Sequence, residues 1–370
     1  MTDLLIPTWP RAPYAVPKGS IPAGWQPTRD LTLLMPFHGE SQATFRRSAR
    51  AVRELGYPVE RLQVLWLVGG DAPVDRERAQ AAMAEASDGS PAEWRLVELP
   101  SVSPKGHALN QAFSLATGEI VGILDADSIP GRGQLREAAF ALEAGYDLVQ
   151  AAELPEGCRT LVSRLRAAED ATWHASCRGL QWLAGVHVVG GSSVYAWRRT
   201  WDLARPFLDD DVEESYDWSL TFMDRHARTG YLPTATWSSS TDSPAAALRQ
   251  RSRWARGQFR IVWRRWRSLA ARGRLLGALS VTTMLARGAL LPSLLVAAAI
   301  PSLRGVVAAL WGLEALRVLF TASSREYRSL STPLGWLLLL PYQAVGSLAI
   351  LRALWQLVRS DRAWRSARAG

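Results

Sequence analysis

The chain has 370 residues, room for one large domain with an appendage or for two domains. A net charge of +9 and a pI of about 10.1 suit an anionic partner: nucleic acid, phospholipid or nucleotide. Two cysteines, Cys158 and Cys177, stand in no metal-like spacing and five histidines are scattered, so a disulfide framework and a zinc centre lack support and a reducing compartment fits.

The opening stretch is rich in Pro and Gly and lacks the uninterrupted apolar core of a signal peptide, so residues 1–29 read as an irregular lead-in. From residue 30 strands and helices alternate. LTLLMPF (31–37) reads as a buried strand broken by Pro36. SQATFRRSARAVREL (41–55) reads as a helix, RLQVLWLVGG (61–70) as a second strand and DRERAQAAMAEAS (75–87) as a second helix. EWRLVELP (93–100) is a third strand, KGHALNQAFSLA (105–116) a helix and EIVGILDAD (119–127) a fourth strand. Apolar strands alternating with helices predict a mainly parallel sheet covered on both faces, with ligands beyond the carboxyl ends of the strands.

The fourth strand ends in Asp125-Ala126-Asp127. In an extended chain residues i and i+2 point to one side, so both carboxylates are expected to converge on one spot at the strand exit. Two hard oxygen donors there either bind a divalent cation or repel each other; a turn cap is the plainer alternative, since Asp-Ser-Ile-Pro suits a turn. Lys105 stands out because Lys18 and Lys105 are the only lysines among 43 basic residues.

The region 131–240 is less regular. It carries a predicted helix (159–176), a Gly-Gly-Ser-Ser turn (190–193) and the acidic cluster DDDVEESYD (209–217). Residues 247–274 follow, with ten Arg from Arg249 to Arg274 interleaved with Trp254, Phe259, Trp263 and Trp266. Past Arg274 the composition changes. Residues 275–303 carry one charge, Arg287, and residues 329–351 carry none, a length matching the ~20 residues of a membrane span. Residues 305–320 are apolar but contain Glu314 and Arg317; a third span, a re-entrant piece and an interfacial helix are all open readings. Seventeen Trp and basic flanks favour membrane spans over a buried bundle.

Four segments in order resemble a family 2 glycosyltransferase of GT-A fold, of the membrane-associated, cellulose- and hyaluronan-synthase-like type. PFHGE (36–40) resembles the opening Pro-x-x-Asn-Glu turn, with Gly39 in place of Asn. KGHALNQAFSLATGEIVGILDADSIP (105–130) resembles the Lys-x-x-Ala-Leu-Asn helix and the Asp-x-Asp strand end. GGSSVYAWRRT (190–200) resembles the acceptor-side Gly-rich segment, and QRSRW (250–254) matches Gln-x-x-Arg-Trp. The resemblance covers roughly residues 30–355 and departs twice. The Asp pair usual at the end of strand two is Gly69-Gly70, with Asp71 next, and the usual base position reads Ser215, preceded by Glu213-Glu214.

The resemblance implies a GT-A domain over 30–246 and a Gln-x-x-Arg-Trp interfacial helix over 247–274. A membrane region of two or three spans over 275–355 and a basic tail over 356–370 complete it. It implies metal-dependent, inverting transfer from a nucleotide-diphosphate sugar, probable donor class UDP-linked, to a glycan or lipid acceptor. Pro36, Glu40, Asp71, Lys105, Asp125 and Asp127 are expected at the donor, with Asp127 and Asp125 holding Mg²⁺ or Mn²⁺. Glu214 is the first choice of general base, with Asp217 nearby. Gln250, Arg253 and Trp254, close together on one helix, are expected at the reacting sugar and diphosphate. The Arg-rich segments favour a cytoplasmic catalytic domain on an inner membrane, with two spans the simplest count. Arg264, Arg265 and Arg267 fit contact with lipid headgroups. Single-sugar transfer to a lipid and a non-catalytic binding or scaffold protein remain the alternatives. A nucleic-acid binder is disfavoured, since the Arg cluster abuts apolar spans.

Overall fold

The computed structural model describes residues 14–16, 20–86, 93–102, 104–158, 160–185, 187–208, 213–239, 243–323, 327 and 333–359. Lys18, most of the lead-in, residues 209–212 of the acidic cluster and residues 360–370 of the basic tail lie outside them. The described residues fall into two compact units. One draws on Met1–Leu154, His174–Asp210 and Thr221–Ser238, the other on Pro155–Trp173, Asp211–Leu220 and Ser239–Gly370.

The first unit is built on strands β1 (Leu31–Phe37), β2 (Leu62–Gly69), β3 (Glu93–Leu99) and β4 (Ile120–Ile123), all mutually parallel where paired. The sheet continues through β6 (Leu148–Gln150), β8 (Val194–Trp197) and β9 (Thr229–Tyr231) in the order β3-β2-β1-β4-β8-β6-β9. β8 runs antiparallel to both β4 and β6. Short strands β5 (Ile129–Pro130), β7 (Glu153–Pro155) and β10 (Thr236–Ser238) form a second sheet. Helices α1 (Gln42–Arg53), α2 (Pro73–Ala86), α3 (Lys105–Ala112) and α4 (Gln134–Glu143) connect the strands, as apolar central strands require. Every residue of β2 is buried, and Phe37 stacks on Phe45 at 4.4 Å beside Trp66.

Two expectations are corrected. Pro36 does not break β1, which runs to Phe37 and keeps its register with β2. A proline is tolerated there because β4 pairs only with Leu31–Leu34, so the other edge of β1 is already open at Pro36. The fourth strand stops at Ile123, so Asp125 and Asp127 lie in a turn and not on a pleat. Past Leu124 the backbone leaves the ladder: the Asp125 N–H donates to Ser192 Oγ at 2.9 Å, and the Ser128 N–H to the Asp125 carbonyl at 3.0 Å.

The remaining helices are α5 (Leu161–Ala184), α6 (Arg198–Trp201), α7 (Glu214–Asp224), α8 (Pro244–Arg265), α9 (Ala271–Ala299), α10 (Arg304–Ser323) and α11 (Pro333–Val358). Within the second unit α11 packs on α8 and α9, and α10 packs on both α9 and α11. α9, Pro301–Ser323 and α11 are each long and apolar enough to cross a membrane. The segment left open in the sequence is thus one continuous helix. Its two charges pair one turn apart, Arg317 Nε donating to Glu314 Oε2 at 2.9 Å.

Candidate active site

In the first unit the carboxyl ends of β1, β2 and β4 carry the predicted donor residues. After β1 the chain turns sharply at Gly39, whose φ of 72° is left-handed, and the Gly39 N–H donates to Asp75 at 2.5 Å. Asn and Gly are the residues that enter this region most cheaply, which accounts for Gly standing where the resemblance expects Asn. The turn delivers Glu40. Burial, then the neighbouring Asp127, Asp75 and Asp125, push its pKa up to about 7.

At the end of β2, the carboxylate of Asp71 folds back into the space that a side chain at Gly69 would fill. Ser101 Oγ donates to it at 2.9 Å. One carboxylate, that of Asp71, therefore lies beside Gly69, and among the described residues none lies beside Gly70.

α3 presents Lys105, Gly106 and Asn110 to later parts of the chain. Lys105 pairs with Asp125 and donates to the Gly191 carbonyl at 2.6 Å. Gly106 lies against the Leu208 carbonyl, with no room for a Cβ. Asn110 makes a two-way pair with the Phe207 backbone, donating to its carbonyl at 2.9 Å and accepting its N–H at 2.8 Å. The Lys-x-x-Ala-Leu-Asn pattern is therefore a docking face as well as a charge.

Sequence reasoning missed Glu153. Its carboxylate accepts from Ser128 Oγ at 2.8 Å, and Ser128 in turn meets Ser192 at 2.8 Å. Burial, then Asp125 and Asp127, push its pKa up to about 8. Behind it, His174 Nε2 sits between the Glu153 N–H at 3.1 Å and the Glu153 carbonyl at 2.9 Å, and burial lowers the imidazole to about 4. Glu153 sits in an apolar run and belongs to no motif; only the long-range packing of β7 near the Asp pair reveals it.

Glu40, Asp125, Asp127 and Glu153 thus share one electrostatic neighbourhood, with Lys105 as the cation paired into it. Carboxyl groups gathered around Asp125 and Asp127 in this way suit a divalent cation. Among the described residues no three His, Cys, Asp or Glu side chains are arranged to hold a metal by themselves. That donor set fits an ion carried by one or two carboxylates and substrate phosphates.

The second unit holds the remaining predicted residues. Glu213, Glu214 and Asp217 are all buried, and Glu214 opens α7. Asp217 pairs with Arg265 from α8, which corrects the reading of Arg265 as a headgroup contact; Arg264 and Arg267 are exposed. Gln250, Arg253 and Trp254 lie within one turn of α8, half-buried. The Arg253 Nε is buried without a hydrogen-bond partner among the described residues, and Trp254 lies under the Arg166 guanidinium at 5.4 Å.

Comparison with known proteins agrees with this architecture. The mannosyltransferase PcManGT from Pyrobaculum calidifontis, solved in complex with GDP-Man and Mn²⁺, shares the fold. The TM-score is 0.59 at 22% identity, over 94% of this chain and 92% of that one. The probable glycosyltransferase YdaM of Bacillus subtilis (strain 168) is 23% identical over 270 residues, 70% of this chain, which spans 59% of that relative's length. The glycosyl transferase family 2 model matches residues 32–169, across the sheet and the Asp pair. The model described as glycosyl transferase family group 2 matches residues 120–346, more than half of the 370 residues, and the chain belongs to that family.

Proposed function

We propose that this protein transfers a sugar, with inversion, from a nucleotide-diphosphate donor to a glycan or lipid-linked acceptor at the cytoplasmic face of a membrane. The observation that carries the reading is the carboxylate cluster at the strand ends, paired with Lys105, in a chain of this family. Asp127, with Asp125, would hold Mg²⁺ or Mn²⁺; when bound, the ion supplies neutralising charge to the leaving diphosphate. Lys105 adds a compact positive charge beside the same groups, and Asp71 with Glu40 completes the donor side.

On the acceptor side, a carboxylate takes the hydroxyl proton as that oxygen attacks the anomeric carbon. Asp217 is engaged by Arg265, so the reading keeps Glu214 as the base. Arg253 contributes a guanidinium toward the departing diphosphate, and Gln250 and Trp254 order the sugar ring or acceptor. The cellulose- and hyaluronan-synthase-like assignment rests on Gln-x-x-Arg-Trp followed by apolar helices. Exposed Trp263, Arg264 and Arg267 beside them suit an anionic lipid surface. Residues 30–246 would form the catalytic domain and 275–355 its membrane region.

The test uses the full-length protein in membranes with a panel of UDP- and GDP-linked sugars, with Mn²⁺, Mg²⁺ or excess EDTA, and products resolved by size. Transfer from one donor that EDTA abolishes and metal restores is expected. No transfer or donor hydrolysis from any donor favours the non-catalytic alternative. A product with one added sugar on a lipid favours single transfer over polymer extension.

A further inference from the structure

A second charged centre lies in the helical unit, built from none of the residues assigned above to donor or base. Glu169 on α5 is 7% exposed. Its Oε1 accepts from Arg251 Nε at 3.0 Å, and its second oxygen faces the same guanidinium, so the pair is a two-point fork. The same Oε1 accepts from Arg287 at 3.2 Å, and that nitrogen of Arg287 also donates to Gln343 at 2.7 Å. One buried carboxylate therefore joins α5, α8 and α9, with α11 added through Gln343. Arg287 is the only charge in residues 275–303, on a helix apolar enough to cross a membrane. A charge so placed is costly and points to a role.

One turn before Glu169, Arg166 lies over Trp254, and Asp170 holds the Arg166 Nε at 3.0 Å. Arg166 and Glu169 are three apart on α5; Arg251 and Trp254 are three apart on α8. Residues at that spacing share a helix face, so the two pairs meet as matched sets. Arg251 is the first intervening residue of the Gln-x-x-Arg-Trp segment, and Trp254 is its last. Stability alone is a poor account of Glu169, since apolar replacement of a buried ion cluster is often neutral or stabilising. The cluster instead fixes how far α8 is rotated about its axis.

We infer that Glu169 is a positioning residue: through Arg251 it sets the orientation in which α8 presents Gln250, Arg253 and Trp254, and through Arg287 it ties that orientation to the apolar helices. The inference rests on the proposed role of Gln250–Trp254 in transfer.

Full-length Glu169→Gln and Glu169→Asp proteins test it in detergent or nanodiscs, by transfer kinetics, by UDP and GDP affinity with Mn²⁺, and by amide hydrogen exchange. Glu169→Gln is expected to lower kcat about 10- to 100-fold, a typical penalty for misplaced groups. Nucleotide affinity should fall less than kcat, because Arg253 alone of the proposed diphosphate contacts lies on α8, while Lys105, Asp125 and Asp127 do not. Exchange should rise in α8 and not in the central sheet. Glu169→Asp, which keeps the charge, should recover most of the rate. Wild-type kcat in Glu169→Gln overturns the inference, as does a parallel loss of nucleotide affinity and activity that Glu169→Asp does not rescue. If the wild type transfers nothing, the proposed function fails by itself and exchange decides the positioning claim. Unchanged exchange in α8 of Glu169→Gln refutes it, and increased exchange there supports it.

Discussion

Replacing Arg265 by Met takes the guanidinium away from a carboxylate that is 3% exposed. Replacing Asp217 by Asn removes the charge from the buried side and leaves a guanidinium whose side chain is 31% exposed. The two changes break the same pair, yet their costs should differ. Breaking a buried pair typically costs 3–5 kcal/mol, most of it the penalty on the ion left behind. With Arg265 open to solvent, screening brings the Arg265→Met cost down to about 2–3 kcal/mol. The amide of Asp217→Asn carries no charge to desolvate and Arg265 can turn to water, so about 1 kcal/mol is expected. Thermal unfolding of the detergent-held variants at pH 7.5 reads the difference directly. Equal losses, or a larger loss for Asp217→Asn, would refute the account of Asp217 as a buried charge held by Arg265. Activity supplies the second half: a folded Asp217→Asn protein that transfers nothing would move the base from Glu214 to Asp217.

Glu214→Gln keeps shape but removes a basic carboxylate, so turnover should fall by ~10²–10⁴ with nucleotide affinity unchanged, read by steady-state transfer and nucleotide titration. Asp127→Ala should cost at least ~10²-fold in transfer, and full activity of wild type in excess EDTA would contradict the metal role. At Gly39, with φ 72°, Gly39→Ala should cost about 1–2 kcal/mol in unfolding experiments and Gly39→Asn clearly less, because Asn enters the left-handed region more readily. His187 is buried, neither ring nitrogen has a hydrogen-bond partner among the described residues, and burial lowers its pKa to about 3. The unfolded chain then binds a proton that the fold refuses, so stability falls as pH drops below 6.5, by about 2 kcal/mol at pH 5. His187→Phe, which keeps an aromatic ring tilted against Tyr231, should flatten that acid limb in melts from pH 7 to pH 5.

Strands β1 and β2 were legible because they are apolar runs buried on both faces, and β3 because its polar and apolar residues alternate as an edge strand requires. The end of β4 was not, because what stops it is the antiparallel partner β8 and the Ser192 hydroxyl, both about 70 residues away in sequence. Lys105 and the Asp pair were legible from type and spacing. Their pairing with each other was not, since spacing says nothing of which partner a charge takes before its ligand arrives. Glu153 and Glu169 were invisible for a common reason. Each belongs to no motif, and each acquires meaning only from groups on other elements, the Asp turn in one case and two arginines in the other. Arg265 was misread because a run of exposed arginines conceals the one that turns inward.

The docking of α3 has a consequence for how the protein is made. A helix of eight residues does not hold its shape alone in water. α3 packs on the earlier strands β1, β2 and β3, and it is tethered besides to later chain: Lys105 to Gly191, a separation of 86 residues, and Asn110 to Phe207, a separation of 97. A ribosome adding ~5–20 residues per second delivers those partners roughly 5–20 s after the helix itself. During that interval the Lys105 segment can lie on the early strands but lacks its ties to Gly191 and Phe207. A chain released before residue 207 should keep much of the β1–β3 sheet and leave α3 without its Asn110 tie, so truncated products would carry a folded sheet and an incompletely docked Lys105 helix.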